Sequence, residues 1–166
     1  VSSSIKEITE TSDIIILAIP SPFLENELMK IKLQLKNKII FSALKGVVPK
    51  THLIVSEHLN KYYKISLDKI GIITGPCHAE EVALDKLSYL TVACKNKSIG
   101  EEMKTALESN YIKVKFSKDT MGVEYAAMLK NVYAIIAGVA NGLGYGDNFQ
   151  SVLISNSVRE MKRFIN

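Results

Sequence analysis

The amino-acid sequence predicts an α/β fold, in which a parallel sheet with helices on both faces is followed by a segment of helices only. Short β-branched and aliphatic runs alternate with stretches of helical spacing as far as residue 117. This alternation is typical of parallel strands joined by right-handed crossovers. Only helical patterns follow residue 117. We therefore expect two domains, residues 1–117 and residues 118–166, with a boundary near residues 117–120.

Five strands are expected, at residues 13–19, 38–43, 69–74, 89–93 and 113–116. The first is a continuous apolar run that stops at Pro20, which is typical of a strand buried on both faces of a parallel sheet. Helical spacing predicts helices at residues 2–11, 23–35, 51–59, 79–83 and 98–107. Three residues are expected to cap the first, third and fifth of these helices: Ser4, Thr51 and Ser98.

The longest helical pattern covers residues 123–143, with Asp119 or Thr120 as its cap and Gly142 with Gly144 at its end. One face is apolar and is expected to be buried: Leu129, Val132, Tyr133, Ile136, Val139, Ala140 and Leu143. A second stripe places Lys130 and Asn131 among small residues: Ala127, Ala134, Gly138 and Asn141. A crowded Lys130 would lose water and give up its proton more easily. This helix alone favours the alternative, a surface lysine with a solvated ammonium.

Composition and charge narrow the classes of function. Of the 166 residues, 47% are hydrophobic and 23% are charged, as in ordinary globular proteins. The net charge is +4 and the lysines are scattered, so no nucleic-acid partner is expected. The apolar run at residues 14–20 is far too short to span a membrane. Cys77 and Cys94 have no metal-binding or disulfide spacing, so no metal is expected.

Two further expectations concern the setting of the chain. No secretory signal is visible, which predicts a cytoplasmic location. The chain starts without methionine and stops within an amphipathic pattern. We therefore expect it to be a piece of a longer protein.

The ends of the first three predicted strands carry candidate binding groups, because ligands bind at the carboxyl ends of parallel strands. These ends are residues 18–23, 42–46 and 74–80, and each leaves its strand at a Pro or Gly. They offer the ring of Phe23, the ammonium of Lys45 and backbone N–H groups at a helix start. Such groups suit an anionic or phosphorylated ligand. Simple turns with a solvated lysine are the alternative.

Other titratable residues favour structural roles. Cys77 and His78 are adjacent, but sequence neighbours rarely face each other and no orienting Asn or Asp is evident. We expect a loop cysteine and a packing or capping histidine. Two histidines are expected on a solvated helix surface: His52 and His58. Three glutamates are expected to favour the dipole of the helix that each one opens: Glu80, Glu81 and Glu124.

Five motifs follow one another along the chain: AIPSPF at residues 18–23, SALKGV at 42–47, GPCHAEEVA at 75–83, GVEYAAMLKNVYAIIAGVANGLGYGDN at 122–148 and LISNSVREM at 153–161. In this order they closely resemble bacterial NAD(P)-dependent glycerol-3-phosphate dehydrogenase, over essentially the whole chain and about the middle half of that enzyme. The resemblance implies a Rossmann-like domain without its first strands, followed by the start of an all-helical substrate domain. It also implies hydride transfer between sn-glycerol 3-phosphate and dihydroxyacetone phosphate with NAD or NADP, which feeds glycerophospholipid synthesis, and a homodimer in the full-length enzyme.

The resemblance assigns roles to individual residues. Lys130, in the Leu-Lys-Asn motif, corresponds to the general base that takes the hydroxyl proton as hydride leaves carbon, and this favours a chemical role over a solvated one. The implied substrate-binding residues are Lys45, Gly75, Cys77, Lys130 and Asn131. The implied cofactor-binding residues are Pro20, Phe23, Lys45 and Ala79.

The chain also departs from the family pattern. The Gly-x-Gly-x-x-Gly turn precedes Val1 in the family, and its later phosphate-binding residues follow Asn166. Cys77-His78 replaces Ser-Phe, and residues 155–157 read Ser-Asn-Ser rather than Thr-Arg-Gly. We therefore expect an inactive partial copy, with the choice between NAD and NADP left open. The alternatives are another dehydrogenase of the same two-domain plan and a non-catalytic α/β module that binds phosphorylated metabolites.

Overall fold

A computed structural model describes residues 2–165, and within them the chain forms one five-stranded sheet and seven α-helices. The strands are β1 (Ile14–Leu17), β2 (Ile39–Ser42), β3 (Ile70–Thr74), β4 (Ser88–Cys94) and β5 (Ile112–Ser117). The helices are α1 (Ile5–Thr11), α2 (Ser21–Lys30), α3 (Val55–Tyr63), α4 (Ala79–Ala83), α5 (Lys97–Leu107), α6 (Thr120–Gly142) and α7 (Asp147–Ile165). The predicted α/β fold with a helical C-terminal segment is confirmed.

The strand order in the sheet follows the sequence, from β1 to β5. Strands β1, β2 and β3 are parallel, as predicted. The prediction of an all-parallel sheet is wrong for the other two, since β4 runs antiparallel to β3 and β5 runs parallel to β4. The reason is the short connection: α4 has five residues and rises only about 7.5 Å. That is less than the roughly 17 Å length of β3, so the chain turns back beside β3 instead of crossing over.

Helices cover both faces of the sheet, as predicted. Neighbouring residues of β2 point to opposite faces, and they belong to different core clusters. Ile40 packs with residues of α2 and α3, including Leu24 and Leu59. Phe41 packs in the second cluster with Met103 of α5. Each face of the sheet therefore has its own core cluster.

Two of the predicted helix caps are confirmed. The Ser4 hydroxyl accepts a hydrogen bond from the Glu7 N–H at 3.3 Å. The Asp119 carboxylate accepts one from the Gly122 N–H at 2.8 Å. Each cap residue accepts a hydrogen bond from a residue three positions further along the chain. Because this contact is local, it can be predicted from the sequence.

Two other predicted caps are wrong. Helix α3 begins at Val55, four residues after Thr51, because Val47 first pairs with Ile54 and closes the loop between them. Helix α5 is capped by Asn96, whose side-chain oxygen accepts from the N–H groups of residues 98 and 99. Ser98 therefore lies inside its helix rather than at the cap.

The predicted buried face of α6 is mostly exposed. Val139 is 58% exposed and Leu143 is 72% exposed, whereas Ala140 is buried. Helix α7 contacts only one side of this half of α6, through a bond of 3.0 Å from the Gln150 amide to the Ala137 carbonyl and one of 3.2 Å from the Tyr133 hydroxyl to Glu160. The apolar pattern correctly marked a helix, but the described residues do not cover its apolar face.

Helix α6 is also long enough and apolar enough by composition to cross a membrane. One such helix is weak evidence, because core helices of soluble proteins pass the same test. Here α6 packs on β3, β4 and α7 and carries Lys130 at its middle. The absence of a membrane span stays a prediction.

Candidate active site

The strand ends of β1, β2 and β3 lie side by side. Leu17 at the end of β1 pairs with Ser42 at the end of β2, and Ser42 pairs with Ile72 of β3. The segments that leave these parallel strands therefore share one edge of the sheet, as their sequence pattern predicted. This edge brings together the predicted residues that follow the strands: Pro20, Phe23, Lys45, Gly75, Cys77 and Ala79.

The β1 end presents an exposed aromatic ring. Pro20 is the cap of α2, and its carbonyl accepts a hydrogen bond of 3.0 Å from the Phe23 N–H. This turn places Phe23 in the first turn of α2, where its side chain is 60% exposed. An exposed ring at the edge of a sheet offers a flat apolar surface on which another ring can stack.

The β2 end presents a free ammonium. The Ser42 hydroxyl accepts from the Leu44 N–H at 3.3 Å, and Gly46 has a φ of 99°, so the backbone turns on both sides of Lys45. Lys45 is exposed. Within residues 2–165 its ammonium has no hydrogen-bond or ion-pair partner, which leaves all of its donors available to an anion.

The β3 end is shaped by close packing. Gly75 has a φ of 147°, and a Cβ at this position would lie 2.3 Å from the Tyr89 carbonyl oxygen of β4. Glycine is therefore required here by the returning strand, which is a packing reason independent of any ligand. Its predicted substrate contact stays a prediction.

Cys77, His78 and Ala79 form the turn into α4. Cys77 is half-buried, while His78 and Ala79 are exposed. His78 stands at the cap position of α4 but makes no side-chain cap bond, so the expected packing or capping role of this histidine is wrong. The side chains of Cys77 and His78 share no hydrogen bond in the described part of the chain, and no geometry here supports a nucleophile–base pair.

Lys130 and Asn131 lie about 15 Å along α6 from its first residue. Both are exposed, and the expected crowding is not found: an added Cβ on Gly138 would meet no atom within 4 Å. Lys130 lines a groove of about 230 Å³ between α6 and α7, together with Tyr133, Ala134, Ala137, Leu153, Ile154, Ser157, Val158 and Met161. In the chain that the structure describes, neither Lys130 nor Asn131 has a side-chain hydrogen-bond partner. Their polar groups are free to act on a ligand.

Glu124 connects α6 to the start of α3, directly after the loop of residues 43–54 that carries Lys45 (the Lys45 loop). Its carboxylate accepts a hydrogen bond of 2.8 Å from the Val55 N–H and bonds with the N–H and hydroxyl of Ser56, all at the start of α3. Glu124 is therefore buried against another helix, and the expectation that it serves the dipole of its own helix is wrong. Burial raises the pKa of Glu124, and the bonds from Ser56 and Val55 act against that rise.

Sequence reasoning missed this role of Glu124, although the sequence contains a signal for it. The residue before α3 is Ile54, whose side chain has no oxygen to cap the helix. A buried helix start needs an acceptor from elsewhere. Only the fold reveals which residue supplies it, since Glu124 is 69 residues from Val55.

His58 was expected to be solvated, and this is wrong. Its side chain is 1% exposed, and its Nδ1 lies 3.1 Å from the Thr51 hydroxyl. Burial lowers the pKa of His58, while the negative charge of Glu25 acts in the opposite direction. His58 and Leu59 lie on the side of α3 that is buried, together with Val55 and Tyr63. His52 is exposed as expected, but it precedes the helix.

Within residues 2–165, no group of three His, Cys, Asp or Glu side chains lies close enough to hold a metal ion. The exposed ring of Phe23 and the free ammonium of Lys45 suit the nicotinamide end of a dinucleotide, which combines a flat ring with nearby negative charge. The residues at this edge therefore fit the cofactor that the sequence implies.

Comparisons with known proteins agree with this geometry. Residues 1–100 match the sequence model described as NAD-dependent glycerol-3-phosphate dehydrogenase N-terminus, and residues 119–166 match the corresponding C-terminus. The glycerol-3-phosphate dehydrogenase [NAD(P)+] of an Exiguobacterium species is 34% identical over 164 residues, which are 98% of this chain and 48% of that protein. The one from Aster yellows witches'-broom phytoplasma is 37% identical over 166 residues, with 98% and 49% covered.

Solved structures show the same likeness. The glycerol-3-phosphate dehydrogenase of Saccharomyces cerevisiae superposes with a TM-score of 0.85 at 26% identity, covering 98% of this chain and 49% of that one. The chain thus spans about half the length of the curated relatives it matches.

Proposed function

The chain belongs to the family of NAD-dependent glycerol-3-phosphate dehydrogenases, and we propose that it carries the chemical centre of an enzyme that interconverts sn-glycerol 3-phosphate and dihydroxyacetone phosphate. One observation carries this proposal. The ends of β1, β2 and β3 share one edge, where the exposed ring of Phe23 and the exposed side chain of Lys45 lie. A redox cofactor with a flat ring and a phosphorylated alcohol both suit these groups.

Pro20, Phe23, Lys45 and Ala79 would hold the nicotinamide end of NAD or NADP. When bound, this cofactor accepts or returns the hydride. The turn at Pro20 fixes the backbone beside Phe23, so the ring of Phe23 is presented at a defined place on the edge. The Lys45 ammonium adds positive charge next to it, which attracts phosphate groups of the ligand.

Lys130 would act as the general base on the substrate. In its neutral form its Nζ takes the proton of the secondary hydroxyl of glycerol 3-phosphate, and in the reverse direction the ammonium returns that proton to the carbonyl oxygen of dihydroxyacetone phosphate. Asn131 would hold the substrate beside it, and Gly75, Cys77 and Lys45 would line its binding site. The free side chains of Lys130 and Asn131 support these roles.

The proposed domains are residues 1–117, a partial dinucleotide-binding domain, and residues 118–166, the start of a helical substrate domain. Two observations support this division: β5 ends at Ser117, and the two family matches leave residues 101–118 between them. We further propose that the enzyme works in the cytoplasm, forms a homodimer at full length and supplies glycerol 3-phosphate for glycerophospholipid synthesis.

A second candidate is a non-catalytic α/β module that binds phosphorylated metabolites. The observation that favours it is the exposure of Lys130, since the crowding that would help this lysine give up a proton is not found at the neighbouring Gly138. In this candidate, Lys45 binds an anion at the edge of the sheet, but Lys130 has no chemical role.

A hybrid protein tests the proposal. In it, residues 1–166 replace the matching 164 residues of the Exiguobacterium relative, and oxidation of NADH and NADPH is followed with dihydroxyacetone phosphate. We expect turnover, and we expect Lys130→Ala to lower kcat by about 10²- to 10⁴-fold, the usual contribution of a general base. Lys97→Ala is the control, since Lys97 is an exposed residue of α5.

Calorimetry on the 166-residue chain separates the alternatives. Binding of glycerol 3-phosphate together with an inactive hybrid would favour the non-catalytic module. An active hybrid whose Lys130→Ala variant keeps full turnover would show that the proposed base is wrong. Turnover with 2-hydroxy acids instead of dihydroxyacetone phosphate would favour another dehydrogenase of the same plan.

A further inference from the structure

We propose that Glu124 is a positioning residue, which caps α3 from α6 and so sets the Lys45 loop relative to Lys130. This inference rests on the proposed function, since Lys45 and Lys130 are its substrate-binding and proton-transfer groups. The hydrogen-bond network itself is independent of that function.

The cap is built from two helices that are distant in sequence. The carboxylate of Glu124 lies 2.8 Å from the Val55 nitrogen and 3.3 Å from the Ser56 nitrogen, and it also accepts the Ser56 hydroxyl. Glu124 is 4% exposed, and both partners are fully buried. A carboxylate at this place satisfies N–H groups that Ile54 leaves open, and it meets the positive end of the α3 dipole.

A short chain of bonds leads from this cap to Lys45. Ile54, directly before α3, pairs with Val47 in an antiparallel bridge. The Val48 N–H also donates to the Leu53 carbonyl at 2.8 Å, so the loop between these pairs is closed. Lys45 lies two residues before Val47. A shift of the start of α3 would therefore move Lys45 with it.

A continuous helix leads from the cap to Lys130. Glu124 and Lys130 are six residues apart on α6, a rise of about 9 Å, and no proline interrupts the helix. The neighbouring Tyr125 adds a second link, because its hydroxyl donates to Glu57 of α3 at 3.4 Å. Its ring also packs edge-to-face with the ring of Phe164 of α7. Glu124 and Tyr125 thus fix both helices of the C-terminal pair to α3.

A positioning role explains why a carboxylate is buried here. Burying a carboxylate carries a large desolvation penalty, which hydrogen bonds offset in part. An apolar residue here would avoid that penalty but would leave the buried N–H groups of Val55 and Ser56 without an acceptor. A buried carboxylate with all of its hydrogen bonds made also favours one position of α6 relative to α3, because any displacement of one helix breaks several bonds at once. No lysine or arginine pairs with Glu124 within residues 2–165. The carboxylate therefore acts on the α3 backbone and Ser56.

The test uses the hybrid protein with Glu124→Ala, Glu124→Gln and the control Glu101→Gln, an α5 glutamate whose carboxylate lies 3.5 Å from the Lys104 ammonium. Rates are expressed per folded molecule. We expect Glu124→Ala to lower kcat about tenfold or more, as for a small misplacement of reacting groups, with the KM for NADH within about twofold of the parent. Glu124→Gln should recover kcat to within about threefold, because its amide oxygen accepts the same N–H bonds.

Hydrogen exchange on the 166-residue chain gives a readout without activity. In Glu124→Ala, the amides of Val55 and Ser56 should exchange about tenfold faster, while those of β2 and β3 keep their rates. An unchanged kcat per folded molecule, with or without faster exchange, would overturn the positioning role and leave the proposed function standing. An inactive parent hybrid would overturn the proposed function and this inference together.

Discussion

The sheet and the final helix pair are packed very differently. In the sheet and the helices packed on it, the side chains of Phe41, Leu24 and Leu59 are fully buried. In the helix pair formed by α6 and α7, Ile135 is 69% exposed and Val158 is 61% exposed. Burial of apolar area dominates folding energy, so the sheet region holds most of the stability of this chain. The proposed base, Lys130, stands in the region that holds less of it.

The position of Lys130 therefore depends on the hydrogen bonds of Glu124 and Tyr125 to α3, here called the α6–α3 joint, rather than on a core around Lys130. Helix α6 packs on β3 and β4, and near its start it is hydrogen-bonded to α3 through Glu124 and Tyr125. Beyond that, within the described residues, α6 is bonded to α7 by the Gln150 amide and the Tyr133 hydroxyl. A helix held at one end keeps its direction only as well as that end is fixed. Mutations in the two regions should therefore affect different properties.

The largest difference should come from removing an aromatic ring in each region. Phe41→Ala removes a fully buried ring and should lower the free energy of unfolding by about 3–5 kcal/mol. Phe164→Ala removes a ring that is 65% exposed and should cost about 1 kcal/mol or less. Urea unfolding followed by circular dichroism measures both. Equal losses would show that the helix pair carries its own core.

A smaller difference in the free energy of unfolding is expected between a mutation at the α6–α3 joint and one within helix α7. Ser56→Ala removes a hydroxyl that donates to the buried carboxylate of Glu124 and should cost about 1.5–3 kcal/mol. Ser157→Ala is the matched control, since this buried hydroxyl donates to the Leu153 carbonyl of its own helix at 2.8 Å. Its loss should cost about 0.5–1.5 kcal/mol. If the control lost as much as Ser56→Ala, the joint would not be a special point.

Sequence alone predicted those parts of the fold whose causes are local. The caps Ser4 and Asp119 bond within three residues, and the apolar run predicted as a strand at residues 13–19 forms β1 over residues 14–17. Its predicted burial on both faces is wrong, since Ile16 is 46% exposed. The direction of β4 was missed because it follows from how far α4 can carry the chain. The exposure of α6 was missed because an apolar stripe does not tell which residues cover it.

The same division holds for the candidate site. The shared edge of Phe23, Lys45 and Gly75 was predicted because parallel strands bring their carboxyl ends together. The role of Glu124 was missed because its partners are 68 and 69 residues away. Because the side chain of Ile54 has no oxygen, the sequence indicates that the start of α3 needs an acceptor from elsewhere. It does not indicate which residue supplies that acceptor. The residues at the strand ends could be predicted from the sequence, whereas contacts between residues far apart in the chain could be identified only in the structure.

The pH dependence of unfolding should report on the sheet region. Burial holds the pKa of His58 below its ordinary value of 6.5, so the unfolded chain binds a proton first as the pH falls. His58 therefore contributes stability that is complete above about pH 6.5 and is lost below it, at no more than about 1.4 kcal/mol per pH unit. Unfolding in urea at stepped pH values measures the slope.

His58→Gln should remove this slope, and His52→Asn should keep it, because His52 is exposed with a φ of 55° that asparagine tolerates. The raised pKa of Glu124 acts with the opposite sign, since its stabilising contribution is lost as the pH rises above 4.5. Glu124 is present in both variants, so its contribution cancels in the comparison. A slope that survives in His58→Gln would assign the titration to another group.

The smallest effect should come from a single methyl group on the open helix. An added Cβ at Gly138 meets no atom within 4 Å, so Gly138→Ala should raise the free energy of unfolding by about 0.5–1 kcal/mol through lower chain entropy. Ala134→Gly, at an exposed position of the same helix, should lower it by a similar amount. In the sheet the same change has the opposite sign, because a Cβ at Gly71 would lie 2.1 Å from the Phe41 ring. A loss of stability in Gly138→Ala would show that α6 is covered at this position in solution, and the contrast between an enclosed sheet and an open helix pair would then fail.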